Sequence, residues 1–224
     1  MSNIKLEELR FLAPATEAER TEISKVLNAQ NPTFVAEEGC LAILAFGGTI
    51  QSAYVPSEEN IKPVIMNTVF ERTLELIERF GIASSKLSGA TLIAKDSRDI
   101  TNPDLAFLIH VIQQIPNDRI VVTCGTYMLP LIARVLHLHF GEGKSKKIVG
   151  VTGSWLPPSQ EAQDVDYNAG GTIAAMNAFK QARQQGMVFV QFHGEIFIGD
   201  ALVKLDIHLP GISPRFARPT VETR

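Results

Sequence analysis

Five places in this 224-residue chain set polar or reactive side chains directly behind a short apolar run. They are Phe46-Gly47-Gly48-Thr49, Lys95-Asp96-Ser97, Cys124-Gly125-Thr126-Tyr127, Gly153-Ser154-Trp155 and His193-Gly194-Glu195. Taken alone, Gly47-Gly48-Thr49 reads first as a tight turn after a buried strand, because glycine takes positive φ and lets another backbone approach closely. The second Gly-Thr pair, Gly125-Thr126, changes the weighting. A threonine hydroxyl is a nucleophile once a neighbouring group takes its proton, and the N–H groups of a glycine turn suit an oxyanion.

Other chemistry has weaker signals. Cys124 is a candidate thiol nucleophile with His193 across the crevice as base, although a cysteine beside a strand is ordinarily a small core residue. His137 and His139 stand two apart on an expected helix and do not share a face, which argues against a metal pair. The chain has neither Gly-x-Gly-x-x-Gly nor the Gly-Lys-Thr/Ser of a phosphate-binding loop, so no nucleotide, cofactor or metal is expected.

These residues need a scaffold that brings strand ends together. From Gly39 a strand-then-helix pattern recurs. Leu41–Ala45, Ala90–Ala94, Arg119–Thr123, Ile148–Thr152 and Met187–Phe192 are the expected strands. Between them lie expected helices at Thr68–Phe80, from Thr101-Asn-Pro-Asp onward, at about Met128–Leu138 and at about Gly170–Gln184. Thr68 with Glu71 has the form of a capping box, and Gly81 stops that helix. Thr101 opens its helix with a cap, an early proline and an acid in the first turn. Parallel neighbours require crossovers, so the pattern predicts a doubly wound, mainly parallel α/β domain over residues 39–224. In such a sheet ligands bind beyond the carboxyl ends of the strands, where the five polar stretches fall.

Residues 1–38 differ, being polar and helix-prone. Thr16 and Glu19 form a second expected capping box, and Ile23, Val26 and Leu27 make a narrow apolar stripe before Asn31-Pro32. That stripe needs a surface, on the main domain or on a neighbouring subunit.

With 45% hydrophobic and 20% charged residues, the chain has the balance of a soluble globular protein. A net charge of −3 with no Lys/Arg cluster gives no electrostatic basis for a nucleic-acid or membrane partner. Two cysteines, an acidic amino terminus and no long apolar run point to the cytoplasm.

The ordered set Gly47-Gly48-Thr49-Ile50, Asp96-Ser97, Val121-Val122-Thr123-Cys124-Gly125-Thr126, Lys147 through Ser154 with Pro157-Pro158, Asp164 four before Asn168, and Gly194-Glu195-Ile196 resembles the bacterial-type asparaginase/glutaminase family. The likeness runs from about residue 40 to about 205 and is closest to short forms having only the first domain. It implies a Rossmann/flavodoxin-like sheet and hydrolysis of a side-chain carboxamide in a small-molecule substrate. By this likeness Thr49 is the nucleophile, Thr126 and Lys147 its activating pair, and Tyr54 a loop tyrosine approaching it. Gly48, Asp96, Ser97, Gly125 and Tyr127 correspond to substrate-binding positions. By composition alone Lys147 is a solvated residue in the run Lys144-Ser-Lys-Lys. A domain without its family's second half exposes surface, so a homo-oligomer, dimer or tetramer, is also expected.

The departures carry equal information. Tyr127 stands where the family has the aspartate of Gly-Thr-Asp, and a phenol cannot supply a negative charge at neutral pH. This implies either a substrate without a free α-amine or a protein that binds a small amide or amino acid without turnover. Phe46, Cys124, Trp155-Leu156 and His193 also depart toward a less polar crevice, with Asp164, Glu195 and Asp200 as candidates for the missing charge.

Overall fold

The computed structural model describes residues 4–30, 39–56, 61–65, 87–156, 164–199, 203–205 and 215–217. One strand in from the edge of its main sheet is β1 (Leu41–Phe46), whose six residues are all buried. An unbroken apolar run is what a parallel strand covered on both faces requires. Parallel to β1 run β4 (Leu87–Ile93) on one side and β5 (Arg119–Cys124) on the other. Next come β6 (Ile148–Thr152), β7 (Met187–Phe192) and the antiparallel edge strand β8 (Glu195–Ile198), giving the order β4-β1-β5-β6-β7-β8. Two further antiparallel pairs are β2 (Ser52–Pro56) with β3 (Ile61–Ile65), and β9 (Val203–Leu205) with β10 (Arg215–Ala217).

Counting only the parallel strands in chain order, the sheet reads 2-1-3-4-5, so the winding direction reverses between β1 and β5. That reversal opens a crevice at their carboxyl ends. The expected doubly wound α/β sheet is therefore present, and its switch point falls between the two Gly-Thr turns.

Alternation along β1 assigns its side chains to two cores. Ala42, Leu44 and Phe46 join the cluster with α3 (Asn102–Gln114) and α4 (Leu129–Phe140), while Leu41 and Ile43 join the one beneath α5 (Val165–Gln181). On the α5 face, Phe179 meets Phe189 edge-on with ring centroids 5.1 Å apart. Truncating a fully buried residue such as Leu44 or Leu108 costs about 2–5 kcal/mol.

The amino-terminal segment packs on the main domain. The capping box of Thr16 and Glu19 opens α2 (Glu17–Gln30), which buries Ile23 and Leu27 against β4 and α3. Ahead of it, α1 (Leu6–Arg10) inserts Leu9 into the same core. Ring nitrogens of His139 and His110 lie 2.7 Å from the Leu9 carbonyl and 2.9 Å from that of Ala13. Both histidines set aside as metal ligands on α4 thus sit in the core side of the fold, His139 on this segment and His137 buried. At the start of α3 the capping box of Thr101 and Asp104 is formed.

Three elements differ from expectation. The first strand's loop contains the β2/β3 hairpin, hidden by Pro56 and Pro63, which lower β-propensity. Helix α5 starts at Val165, ahead of Gly170, because Val165 buries against Ile50 and this packing overrides the weak helix propensity of Gly170-Gly171. Strand β7 turns directly into β8 through His193-Gly194, both at positive φ (49° and 85°), the geometry of a two-residue hairpin. The expected helix Thr68–Phe80, Pro157-Pro158 and Asp200 lie outside the described residues.

Candidate active site

The switch point is held together by backbone contact. Gly47 and Gly48 have φ of 75° and 87°, and Gly48 N donates to Lys95 O at 3.1 Å. A Cβ on Gly48 would overlap the backbone N and Cα of Gly125, and one on Gly125 would overlap the Ser97 side chain. Neither position tolerates even alanine without displacement of main chain or a buried neighbour. The turns after β1, β4 and β5 are therefore interlocked, with Gly125 wedged between Gly48 and Ser97.

This interlock places the hydroxyl-bearing residues in adjacent turns. Thr49 opens a one-turn 3-10 helix, Thr49–Gln51, and is partly buried. Ser97, buried, opens another, Ser97–Asp99. Thr126 and Tyr127 are the central residues of a turn closed by Met128 N donating to Gly125 O at 3.1 Å, immediately before α4. Thr126 is partly buried and Tyr127 is 40% exposed. Tyr54 falls in β2 opposite Pro63, three residues beyond the end of the Thr49 turn at Gln51; its side chain lies outside the described set.

Lys147 is a correction. It precedes β6, whose Ile148 pairs with Arg119 and whose Thr152 pairs with Thr123, so it stands at the amino edge of the sheet. Gly125-Thr126 follow the carboxyl edge, and a strand of this length separates the two by roughly 17 Å. Its ammonium donates to Ile115 O at 2.6 Å and Asn117 O at 3.0 Å. Burial lowers its pKa, opposed by the charge of Asp118. It closes the α3–β5 connection and does not reach Thr49.

Asp164 has a different task from the missing charge. Its carboxylate accepts from Trp155 N and Leu156 N at 3.1 Å, from Asn168 Nδ2 at 2.9 Å, and lies 3.0 Å from His193 Nε2. Asn168, one helical turn on, donates to Gly153 O and accepts from His193 N. The Asp164/Asn168 spacing thus ties the ends of β6 and β7 to α5. The thiol alternative fails on burial: Cys124 is fully enclosed and desolvation pushes its pKa far above the ordinary thiol range. Its partner His193 stacks on Phe192 at 4.3 Å and is engaged by Asp164.

Asp96 is committed close to home. Its oxygens accept from Arg98 N at 2.9 Å and from Arg98 Nε and Nη2, each at 3.0 Å. These hydrogen bonds hold its carboxyl below the usual range despite partial burial. Arg98 is a residue that sequence reasoning passed over, although Asp-Ser-Arg has the spacing of an Asx turn that folds residue i+2 back on the aspartate. Nearby, Lys95 Nζ bridges both oxygens of Asp104 at 2.8 and 3.0 Å. Among the described residues no cluster of three or more His, Cys, Asp or Glu could hold a metal ion.

Comparison with known proteins agrees with the fold. The structure matches the probable cytoplasmic L-asparaginase of Campylobacter jejuni at 21% identity and TM-score 0.59, covering 74% of this chain and 49% of that one. It matches the thermostable L-asparaginase of Thermococcus kodakarensis at 22% identity and TM-score 0.56, covering 74% and 47%. L-asparaginase I of Vibrio cholerae matches at 21% and TM-score 0.59, covering 83% and 52%. The chain spans about half the length of these structures. No curated protein matches it. The family model described as the asparaginase amino-terminal domain matches residues 40–209, which takes in every turn of the crevice, and on that match the chain belongs to the asparaginase family.

Proposed function

We propose that the chain is an amide hydrolase with Thr49 as nucleophile. The observation that carries this reading is the backbone contact of Gly48 with Gly125 at the switch point, which brings the Thr49, Ser97 and Thr126 turns around one crevice. In the proposed reaction Thr49 Oγ forms a bond to the carboxamide carbon. Its proton passes through the Thr126 hydroxyl or a water, with Tyr54 as helper, to the departing nitrogen. The C–N bond breaks, ammonia leaves, and water hydrolyses the threonyl ester to carboxylate and free Thr49. Backbone N–H groups at the Gly48 and Gly125 turns hold the oxyanion, at roughly 3–4 kcal/mol of barrier per donor. Ser97 and the Asp96/Arg98 pair anchor the rest of the substrate. We also propose a cytoplasmic home and a homo-oligomer; no helix among the described residues is long and apolar enough to cross a membrane.

Ammonia release from asparagine, glutamine and amides lacking the α-amine tests the reading. Thr49→Ala should lose at least about 1,000-fold in kcat/KM, with its urea midpoint unchanged. Equal activity in the alanine variant would end the threonine mechanism. The absent charge at Tyr127 favours a second reading, a protein that binds a small amide or amino acid without turnover. Calorimetric binding with no ammonia release selects it, and activity gained in Tyr127→Asp shows the remaining machinery to be intact.

A further inference from the structure

Residues 4–30 lie ahead of residues 40–209, the stretch matched by the asparaginase domain, and the fold sets them against one corner of the sheet. There β4 is the edge strand beside β1. A turn leading off an edge strand has a strand neighbour on one side alone. Two residues past the end of β4 at Ile93 comes Lys95, whose main chain carries the turn ahead of Thr49. Gly48 N donates to Lys95 O at 3.1 Å, and a Cβ on Gly47 would overlap that same carbonyl. The position of Lys95 therefore sets the position of Thr49.

The amino-terminal segment holds both elements that flank Lys95. Upstream, α2 packs along β4 and buries Ile23 and Leu27. Downstream, α1 is fastened to the start of α3: Lys5 N donates to Asn102 Oδ1 at 3.2 Å, and Asn102 Nδ2 donates to Glu8 Oε2 at 3.0 Å. The adjacent cap reaches back to Lys95. Asp104 accepts from Thr101 N and Oγ1 at 2.9 and 2.7 Å and, with both oxygens, from Lys95 Nζ at 2.8 and 3.0 Å. The Asp104 side chain is only 14% exposed, so water screens this ion pair less than one on the open surface. Contacts thus run without a gap from α1 through the start of α3 and Lys95 to Gly48.

Resting on the hydrolase reading, we propose that the amino-terminal segment is a positioning element for Thr49, acting through Asn102 and Asp104 at the start of α3, and that Lys95 is the positioning residue on which its supports converge. Lys95 acts on the turn through its carbonyl, while its side chain is bound back into α3. A reacting group misplaced by about 1 Å loses roughly 100-fold in rate, so this support acts on kcat and leaves KM nearly untouched.

The test uses the full chain and three variants. Lys95→Met removes the tie to Asp104 and keeps the carbonyl, Lys95→Arg restores a cation, and Asn102→Ala releases α1. Amide hydrogen exchange at Gly48, compared with that at buried Val122 inside β5, reads the turn apart from the fold. Lys95→Met should speed exchange at Gly48 by at least about tenfold while Val122 and the urea midpoint stay as they are. It should also lower kcat by at least about tenfold, with KM within about threefold. Asn102→Ala should act in the same direction by about threefold, and Lys95→Arg should recover most of both effects. Exchange at Gly48 unmoved in Lys95→Met and Asn102→Ala overturns the proposal. So does exchange rising together at Gly48 and Val122, which makes the segment a support of the whole fold, and so does a normal kcat in an active Lys95→Met enzyme. A wild-type chain that releases no ammonia, yet shows the Gly48 response, keeps the positioning and removes the hydrolase reading.

Discussion

The two edges of the central sheet are both polar, and they are built in opposite ways. At the amino edge several long polar side chains are bonded into the fold. Lys147 caps the carbonyls of Ile115 and Asn117, Asp118 joins Lys180 at 2.8 Å and Gly39 N at 3.2 Å, and Arg119 spans Gly39 O and Asn177. Asn117 Nδ2 reaches Cys40 O. This edge fastens the start of β1 to the starts of β5 and β6. At the carboxyl edge the turns after β1 and β5 are glycine and threonine, and the contact that positions them is main chain against main chain. The first edge spends side chains on holding the fold, whereas the second leaves hydroxyls and one face of Arg98 toward solvent. A lysine next to a strand therefore has no intrinsic meaning: the end of the strand on which it sits decides whether it meets a ligand or a loop.

Three perturbations bear on this contrast, in decreasing order of effect. Gly48→Ala forces a Cβ into the Gly125 backbone at a φ of 87°. It should cost about 3 kcal/mol or more and abolish ammonia release, read by urea unfolding and activity together; a stable, active alanine variant would remove the interlock as the organising contact. Lys147→Met leaves the Ile115 and Asn117 carbonyls without their donor. It should destabilise by about 1–3 kcal/mol and leave kcat/KM unchanged, whereas a large loss of turnover in protein of normal stability would restore the lysine to catalysis. Asp118→Asn is the mildest.

That last change has a pH signature. Burial pushes the Asp118 carboxyl up, but the hydrogen bond and charge of Lys180, with Gly39 N, outweigh it and leave the pKa lowered. A depressed carboxylate stabilises the fold above its unfolded value, near 4, and that contribution disappears as pH falls through the folded value. The acid limb of stability against pH should thus be shallower in Asp118→Asn. Since Lys180 is 44% exposed, the difference at neutral pH should stay under about 1 kcal/mol. An unchanged acid limb would show the pair to be screened.

Much of the fold was legible because its signals are local. The caps at Thr16 and Thr101 involve residues three apart, and β6 and β7 are apolar runs bounded by turn residues. The β2/β3 hairpin was not, since prolines mask its pairing. Of the candidate site, the glycine-threonine turns could be read from adjacent residues, but Arg98 and the fate of Lys147 could not. A residue's place relative to a strand is written in sequence, while its distance from another strand's end depends on the direction and order of the sheet.

Taken by itself, the sequence determined the doubly wound class, the strands and the two Gly-Thr turns, because burial periodicity and backbone permissiveness are properties of neighbours in the chain. Tertiary structure decided what those turns face: Gly48 against Gly125, Ser97 against Gly125, Asp96 occupied by Arg98, and Lys147 at the far edge. These are contacts across a switch point, and they exist only once the sheet order has been set by packing between residues far apart in sequence.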